Sequence, residues 1–204
     1  MIGTGGHARE VAEIVQAMHT AGQSGRLLGF LSDDAMLHGT IVLNIPVLGA
    51  PSWINAHQAE VVVLIAVGNN AIRRQIAERL APGWSAIAAI SPHAIVSPYA
   101  IIGVGAMIFP GAVVGPLAQI GNHTIVNVGA SISHDSTVGA WANINPGARI
   151  AGNVTVGEGA NIGTGAAIIQ GRSIGAWTTV GAGAVVVRDL PANVTAVGVP
   201  ARVK

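Results

Sequence analysis

Isoleucine or valine occupies every sixth position between residues 90 and 186 without a break. The seventeen positions are Ile90, Val96, Ile102, Ile108, Val114, Ile120, Val126, Ile132, Val138, Ile144, Ile150, Val156, Ile162, Ile168, Ile174, Val180 and Val186. A period of six fits neither the 3.6-residue repeat of an α-helix nor the two-residue alternation of a strand. A fixed longer period is typical of a solenoid, in which each repeat buries its apolar residue by stacking on the next. The repeat therefore restricts the second half of the chain to a stacked fold.

The residues between these aliphatic positions support the same interpretation. A small side chain comes four positions later in most repeats, at Ala94, Ala100, Ala106, Ala112, Ala118, Thr124, Ala130, Ser136, Ala142, Ala148, Ala160 and Ala166. Glycine directly follows the aliphatic residue in about half of the repeats, where the chain must turn with little room for a Cβ atom. Half of the 204 residues are hydrophobic but only 3% are aromatic, as expected for a thin solenoid interior.

The first part of the chain has a different pattern, which predicts a small α/β sheet. Apolar spacing predicts helices over 7–20 and 71–80, and apolar runs predict strands over 27–31 and 61–67. Ala81-Pro82-Gly83 breaks the second helix and marks a domain boundary. Because only Met1 and Ile2 precede the first glycine turn, we expect most of a first strand to be missing.

These patterns predict a Rossmann-like α/β domain followed by a parallel β-solenoid. We place the α/β domain at 1–83, the solenoid at 84–190 and a C-terminal tail at 191–204. The net charge of +1 argues against nucleic acid as the main partner. The longest apolar run is strand-sized, there is no recognisable signal peptide, and the chain has no cysteine. We therefore expect a cytoplasmic protein that does not cross a membrane.

The repeated unit of isoleucine or valine, glycine and four further residues resembles the hexapeptide-repeat acyltransferases. This resemblance implies a left-handed parallel β-helix, in which three hexads form one triangular coil. Residues 18 positions apart would then stack on adjacent coils, at about the 4.8 Å spacing of neighbouring strands.

Further segments narrow the resemblance to the PglD- and NeuD-like sugar acetyltransferases. They are the segments 3–8, 30–34, 46–49 and 66–69 of the first domain and 127–135, 147–154 and 197–202 of the second. The resemblance implies transfer of acetyl from acetyl-CoA to the amino group of a nucleotide-linked (UDP- or GDP-) amino-deoxy sugar, by a homotrimer that uses no metal. The alternative within the same group is O-acetylation of a sugar hydroxyl, such as that of sialic acid.

The same resemblance assigns His134 as the general base that deprotonates the acceptor. Imidazole suits this task because its ordinary pKa lies close to neutral pH. Asp135 either orients the imidazole or is a solvated surface charge. Gly152 follows His134 by 18 residues, so the two should stack, and a backbone N–H there could stabilise an oxyanion.

We assign acceptor binding to the first domain and to one residue of the β-helix. Gly5, Gly6 and His7 form a glycine turn before a helix, where free N–H groups can bind phosphate. Asp33 follows at a distance where a dinucleotide enzyme would hold a ribose, so NAD binding is a rival interpretation. Asn127 matches the family's asparagine near the acceptor, although it could equally form a ladder with the asparagine 18 residues later.

We assign Asn143, Gly152, Gly171 and Arg188 to the acetyl-CoA site. At residue 143 the family often has a second histidine that is thought to contact the acetyl donor, and this chain has an asparagine instead. Trp141 and Trp177 are 36 residues apart, so they should lie on one external column, which suggests a subunit contact or, as the alternative, the wall of a ligand site.

Two further functions remain open at this point. A zinc enzyme of the carbonic anhydrase type would need three histidines to converge across a subunit interface, and His93, His123 and His134 are the available set. A non-catalytic sugar-nucleotide-binding module is the other alternative, because the short first strand could weaken the first domain.

Overall fold

The first domain is a small, mostly parallel sheet with one antiparallel edge strand, Ile41–Val42, and with helices packed around it. The computed structural model of the protein describes residues 1–23 and 25–204. The α-helices are α1, Gly6–Thr20, and α2, Asn70–Arg79; short 3₁₀ helices span Ala35–Leu37 and Pro51–Ala56. The strands of this domain are Phe30–Leu31, Ile41–Val42 and Ile45–Gly49. Both α-helices fall within one residue of their predicted starts.

Ile2 stands at the centre of this sheet although it is only a single bridging residue. It forms parallel bridges with Leu31 on one side and with Ile65 on the other. The predicted strands are shorter than expected: 27–31 is reduced to its last two residues, and 61–67 contributes bridges only at Val63 and Ile65. Burial on both faces is likewise limited to 63–66, since Val62 is 50% exposed.

The second domain is a left-handed parallel β-helix, as the sequence predicts. Each coil contributes one two-residue strand to each of three sheets. Sheet I contains Ala89–Ile90, Met107–Ile108, Ile125–Val126, Asn143–Ile144, Asn161–Ile162, Thr179–Val180, Thr195–Val197 and Arg202–Val203. Sheet II contains Ile95–Val96, Val113–Val114, Ser131–Ile132, Arg149–Ile150, Ala167–Ile168 and Val185–Val186. Sheet III contains Ile101–Ile102, Gln119–Ile120, Thr137–Val138, Thr155–Val156 and Ser173–Ile174.

The six-residue period produces this register directly. Val126 pairs with Ile144 and Ile108 on the adjacent coils, so partners are 18 residues apart. The aliphatic residues and the small residues four positions later form one continuous buried core. Only side chains without large rings fit between three strands that meet around one axis, which explains the low aromatic content.

The chain turns between sheets at three corners, each with a column of residues in the left-handed conformation. Corner 1, between sheets III and I, contains Gly105, His123, Trp141, Gly159 and Trp177. Corner 2, between sheets I and II, contains Gly111, Gly129, Gly147, Gly165 and Gly183. Corner 3, between sheets II and III, contains Leu117, Asp135, Asn153 and Gly171. Corner 3 is therefore the vertex opposite sheet I.

The first domain packs on sheet I and its two flanking corners. Helix α1 shares a hydrophobic cluster with Met107, Phe109 and Ile125, whose side chains point outward from the β-helix. This contact buries side chains on sheet I that would otherwise face solvent. The vertex opposite, corner 3, is left free of the first domain.

Helix α2 holds corner 1 through polar contacts to a column of carbonyl oxygens. Arg73 is completely buried, and it donates from Nε to the His123 carbonyl at 3.0 Å and from Nη2 to the Trp141 carbonyl at 3.0 Å. Asn70 donates to the Gly159 carbonyl at 2.6 Å, so three successive coils are contacted. Each accepting residue belongs to the left-handed column. The two domains are thereby fixed in one orientation.

The segment 191–204 extends sheet I beyond the last hexad. Thr195–Val197 pairs in parallel with Thr179–Val180, and Arg202–Val203 returns antiparallel to it. The buried side chains of Ala196 and Ala201 close the end of the core. The division at residues 83 and 190 remains our proposal for the domain boundaries.

Candidate active site

His134 lies at the turn of corner 3, directly against Gly152 on the next coil. A Cβ atom added to Gly152 would lie 2.6 Å from both Cε1 and Nε2 of the imidazole. The sequence prediction that these residues stack is therefore matched by the coordinates. The backbone at Gly152 is not in the left-handed region, so its conformation does not require glycine. Glycine is needed here because any side chain would occupy the space of the imidazole ring.

Asp135 orients the imidazole of His134. Its Oδ2 lies 2.8 Å from Nδ1 of the ring, and the two side chains are 53% and 45% exposed. Because an ionised carboxylate can only accept a hydrogen bond, a neutral imidazole in this pair carries its proton on Nδ1 and keeps its lone pair on Nε2. The unprotonated nitrogen is thus the one beside Gly152. In such a solvated setting this pair adds little to stability, and its effect is orientation.

The backbone around Gly152 leaves one amide available beside the ring. The N–H of Asn153 donates to the His134 carbonyl at 3.0 Å, and the Gly152 carbonyl accepts from Gly171. Within the described part of the chain, the Gly152 N–H has no acceptor. The imidazole of His134 and the backbone of Gly152 are therefore neighbours, and a base together with an amide N–H that has no acceptor is the pair needed for proton removal and for oxyanion stabilisation.

Gly171 and Arg188 continue this edge of the prism towards the C-terminus. Gly171 is the next residue of corner 3 after Asn153. Arg188 is exposed and lies two coils beyond Gly152, about 10 Å along the axis. A long ligand placed along corner 3 could contact both residues, so their assignment to the acetyl-CoA site stays a prediction with compatible geometry.

The glycine turn of the first domain leads into the uncapped N-terminus of α1. Gly5 is the N-cap, no side chain caps the helix, and the first turn has no acidic residue. The first amides of the helix are therefore free for an anion. Gly3, at φ 111°, comes so close to Ala66 that an added Cβ would lie 2.8 Å from its carbonyl oxygen. Gly5 and Gly6 have open space around their α-carbons.

His7 lies at the domain interface and is a neutral group. Its ring stacks on Phe109 with a centroid distance of 5.4 Å, and its Nε2 is buried without a hydrogen-bond partner among the described residues. Burial, reinforced by the positive charge of Arg73, lowers the pKa of His7 to about 4. His7 therefore brings no positive charge to a bound phosphate at neutral pH.

Asp33 borders a small cavity at the end of the strand Phe30–Leu31. The cavity has a volume of about 180 Å³ and is also lined by Ser52, Asn55 and Arg79. Arg79 is 3.7 Å from the Asp33 carboxylate, and both side chains are mostly exposed. This pair is weak enough to be replaced by contacts to a polar ligand.

Asn127 and Asn143 are in places that the sequence did not predict. Asn127 lies in the corner 2 turn, and its Oδ1 accepts from the Val128 amide at 2.7 Å instead of forming a ladder with Asn145. Asn143 is buried between the domains, where it accepts from Arg73 at 2.8 Å and donates to the Gly68 carbonyl at 2.8 Å. Both ends of the Asn143 amide are thus used within the chain, and its contact with the acetyl donor stays a prediction without support from this geometry.

The packing at corner 1 bears on several other expectations. Trp141 stacks on His123 at a centroid distance of 4.3 Å, and Arg74 of α2 lies over Trp177. Both tryptophans lie on one column outside the prism, as predicted, and each contacts groups of its own chain; a subunit contact at this column stays a prediction. His93, His123 and His134 belong to three different turns of the prism, so one chain does not bring them together. In residues 1–23 and 25–204, no group of three metal-ligating side chains converges and no helix has the length and apolarity to cross a membrane.

Apart from Asn143, which is buried between the domains, the predicted site residues fall into two separate groups. His134, Asp135, Gly152, Gly171 and Arg188 lie along corner 3. The residues predicted to bind the acceptor lie in the first domain, which covers sheet I, except for Asn127, which lies in corner 2. Sequence reasoning missed Arg73, which has no signal beyond being one of few charged residues.

Comparison with known proteins identifies the family. Residues 1–80 match the PglD N-terminal domain family. The curated UDP-N-acetylbacillosamine N-acetyltransferase of Bacillus subtilis (strain 168) is 40% identical over 119 residues, 53% of this chain and 49% of that protein. The match thus spans about half the length of this curated relative.

Solved structures match over the whole chain. A histidine-to-alanine variant of GDP-perosamine N-acetyltransferase from Caulobacter crescentus, in complex with CoA and GDP-perosamine, has a TM-score of 0.90 and 36% identity, covering 100% of this chain and 94% of that one. The acetyltransferase domain of PglB from Neisseria gonorrhoeae FA1090, in complex with acetyl coenzyme A, has a TM-score of 0.90 and 39% identity, covering 100% and 97%. The predicted enzyme class, an acetyl-CoA-dependent sugar acyltransferase, is confirmed at the level of the family. The chain belongs to the PglD-like family of hexapeptide-repeat acyltransferases.

Proposed function

We propose that the protein transfers the acetyl group of acetyl-CoA to the amino group of a nucleotide-linked amino-deoxy sugar, with His134 as general base. The observation that carries this proposal is the placement of the His134 imidazole against Gly152 with its Nδ1 on Asp135. Two of the relatives named above are N-acetyltransferases of a UDP- or GDP-linked sugar, which supports the amino acceptor over a hydroxyl acceptor.

The reaction follows from the two groups beside each other at corner 3. The neutral acceptor amine attacks the thioester carbonyl while Nε2 of His134 takes a proton from the nitrogen. The negative charge that develops on the carbonyl oxygen is stabilised by the Gly152 N–H. The C–S bond then breaks, the CoA sulfur leaves and receives the proton from the imidazolium, and the amide product remains. Asp135 keeps the imidazole in the required tautomer throughout.

The acceptor is proposed to reach this site from a neighbouring subunit of a homotrimer. The first domain, which holds the glycine turn and Asp33, packs on sheet I, and His134 lies at the vertex opposite that sheet. An acceptor bound to one chain's first domain is thus separated from the same chain's His134 by the width of the prism. Association around corner 3 would bring a second copy's first domain to the imidazole.

The test is an acetyl-transfer assay with UDP- and GDP-linked amino sugars and with their hydroxy counterparts. CoA release can be followed with a thiol reagent, since the protein has no cysteine and gives no background. We expect turnover with amino acceptors and a product heavier by one acetyl group. Turnover with hydroxy acceptors alone would replace N-acetylation by O-acetylation. Absence of acetyl-CoA binding would refute both reactions.

Subunit complementation tests the shared site separately. Gly6→Glu adds a negative charge at the proposed phosphate site without steric conflict, because nothing lies within 4 Å of the added Cβ. H134A and G6E should each be inactive, and mixed trimers formed from both should regain part of the activity. G6E should still bind acetyl-CoA, and H134A should still bind both substrates. If both variants bind in this way and the mixed trimers stay inactive, the site is contained in one chain.

A further inference from the structure

The hydroxyl of Ser136 joins the turn of His134 to the turn of Gly152. Ser136 occupies a hexad position that is usually alanine, and it is completely buried. Its Oγ donates to the Ala151 carbonyl at 2.9 Å and accepts from the Val154 amide at 3.1 Å. The two partners flank Gly152 on the adjacent coil. A side chain two residues from the proposed base therefore contacts both ends of the turn beneath it.

This hydroxyl connects the two ends of the turn 151–154, which in several other turns are joined by a direct backbone hydrogen bond. In comparable turns the fourth residue's amide donates directly to the first residue's carbonyl, as from Ala148 to Asn145 at 3.0 Å and from Ala166 to Gly163 at 3.0 Å. In the turn 151–154 the amide donates to Ser136 Oγ, which in turn donates to the carbonyl. A side chain on the coil that carries His134 thus bridges the two ends of the Gly152 turn, and the same Oγ also lies 3.4 Å from the His134 carbonyl oxygen.

The imidazole of His134 lies so close to the backbone of Gly152 that no additional atom fits between them. An added Cβ on Gly152 would lie 2.6 Å from the imidazole, closer than van der Waals contact. We propose that Ser136 is a positioning residue, which sets the distance and direction between the His134 imidazole and the Gly152 amide. This inference rests on the proposed function, in which that imidazole and amide act on the same reacting group.

Thr178 provides a matched control within the same chain. Its Oγ1 donates to the Pro191 carbonyl and accepts from the Val194 amide at 3.3 Å, so it is inserted into the next coil's turn in the same way. Thr178 is also completely buried, but it lies at corner 1, more than two coils beyond His134. Loss of this hydroxyl should affect folding stability as the loss at Ser136 does, without touching the site.

The experiment compares S136A, S136T, T178A and H134A by kcat, by KM for each substrate and by thermal unfolding. We expect S136A to lower kcat by about 10- to 100-fold, the effect of a misplacement of up to 1 Å, with little change in KM for acetyl-CoA. S136T should restore most of kcat, because threonine already occupies this hexad position at residues 124 and 178. T178A should lower the unfolding temperature to a similar extent as S136A and keep the wild-type kcat.

The proposal is overturned if S136A keeps its kcat, or if T178A loses kcat in parallel with S136A. If S136A does not fold, S136C takes its place under the same criteria, since cysteine keeps the side-chain volume with only a weak S–H donor. H134A separates this inference from its premise. Wild-type turnover in H134A refutes the proposed function itself, whereas an inactive H134A with a fully active S136A refutes only the role of Ser136.

Discussion

Replacement of Gly152 by alanine tests the geometry at corner 3 most directly. The new methyl carbon would lie 2.6 Å from Cε1 and Nε2 of His134 and 3.1 Å from Nδ1. An ordinary contact is 3.4–4 Å, so the ring must retreat by about 1 Å. A misplacement of about 1 Å in a catalytic group can cost on the order of 100-fold in rate, which corresponds to about 2.7 kcal/mol of transition-state stabilisation. We therefore expect kcat of G152A to fall by about that factor.

The same variant should keep its folding stability. The His134 side chain is 53% exposed, so it can swing towards solvent without disturbing the core. Replacing glycine by alanine at a position outside the left-handed region removes chain entropy from the unfolded state, worth about 0.4–1 kcal/mol in favour of folding. Urea unfolding of G152A should thus give a free energy close to wild type. Imidazole resonances of His134 in NMR spectra would report the displaced ring.

The control for this prediction is the pair of H134A and the double variant H134A/G152A. Without the ring there is nothing for the methyl group to displace, so the second substitution should add little to the first. A G152A protein with wild-type kcat would refute the reasoning. A rise in KM for acetyl-CoA at constant kcat would refute it as well, since it would mean that the methyl group blocks the donor and leaves the base in place.

Four further outcomes follow from the structure. H134A should lower kcat by about 10²- to 10⁴-fold with an almost unchanged unfolding temperature. Burial lowers the pKa of His7 and of His123 to about 4 from 6.5. Between pH 4 and pH 6.5 the folded protein therefore binds fewer protons than the unfolded chain. The free energy of unfolding should thus be highest above pH 6.5 and should decline as the pH falls towards 4, by up to about 3 kcal/mol for each histidine. Urea unfolding at several pH values measures this decline, and H123F should flatten it; an equal slope in H123F would contradict the assignment. R73M should cost at least about 3 kcal/mol in the same assay, because it leaves several buried acceptors without a donor. G139A should prevent folding, since its Cβ would lie 2.5 Å from the backbone nitrogen of Glu158, and soluble G139A with wild-type stability would contradict the register.

The solenoid was predictable because its geometry is local and repetitive. A six-residue period fixes which side chains face the interior, and three hexads per coil place residue i above residue i+18. This reasoning correctly stacked His134 and Gly152 from their numbers alone. It also placed Asn127 and Asn145 on one column, but not the partners of their side chains: instead of forming a ladder, these bond to Val128 and Asn161.

The first domain was predictable in its helices and less so in its strands. Amphipathic spacing located the ends of α1 and α2 within one residue, because the apolar pattern of a helix depends only on residues within that helix. The strand over 61–67 was overestimated because β-branched composition does not show which residues find a partner. Only Val63 and Ile65 do so, and Val62 faces solvent.

By itself, the sequence determined the prism, its register and the neighbours of His134, since each follows from backbone spacing that repeats along the chain. Only the tertiary structure decided which face of the prism the first domain covers, and therefore that the first-domain residues proposed to bind the acceptor lie opposite the proposed base. That docking depends on Arg73 reaching carbonyl oxygens of residues 50 and 68 positions away, His123 and Trp141. No periodic pattern encodes a contact between one buried guanidinium and the backbone of another domain.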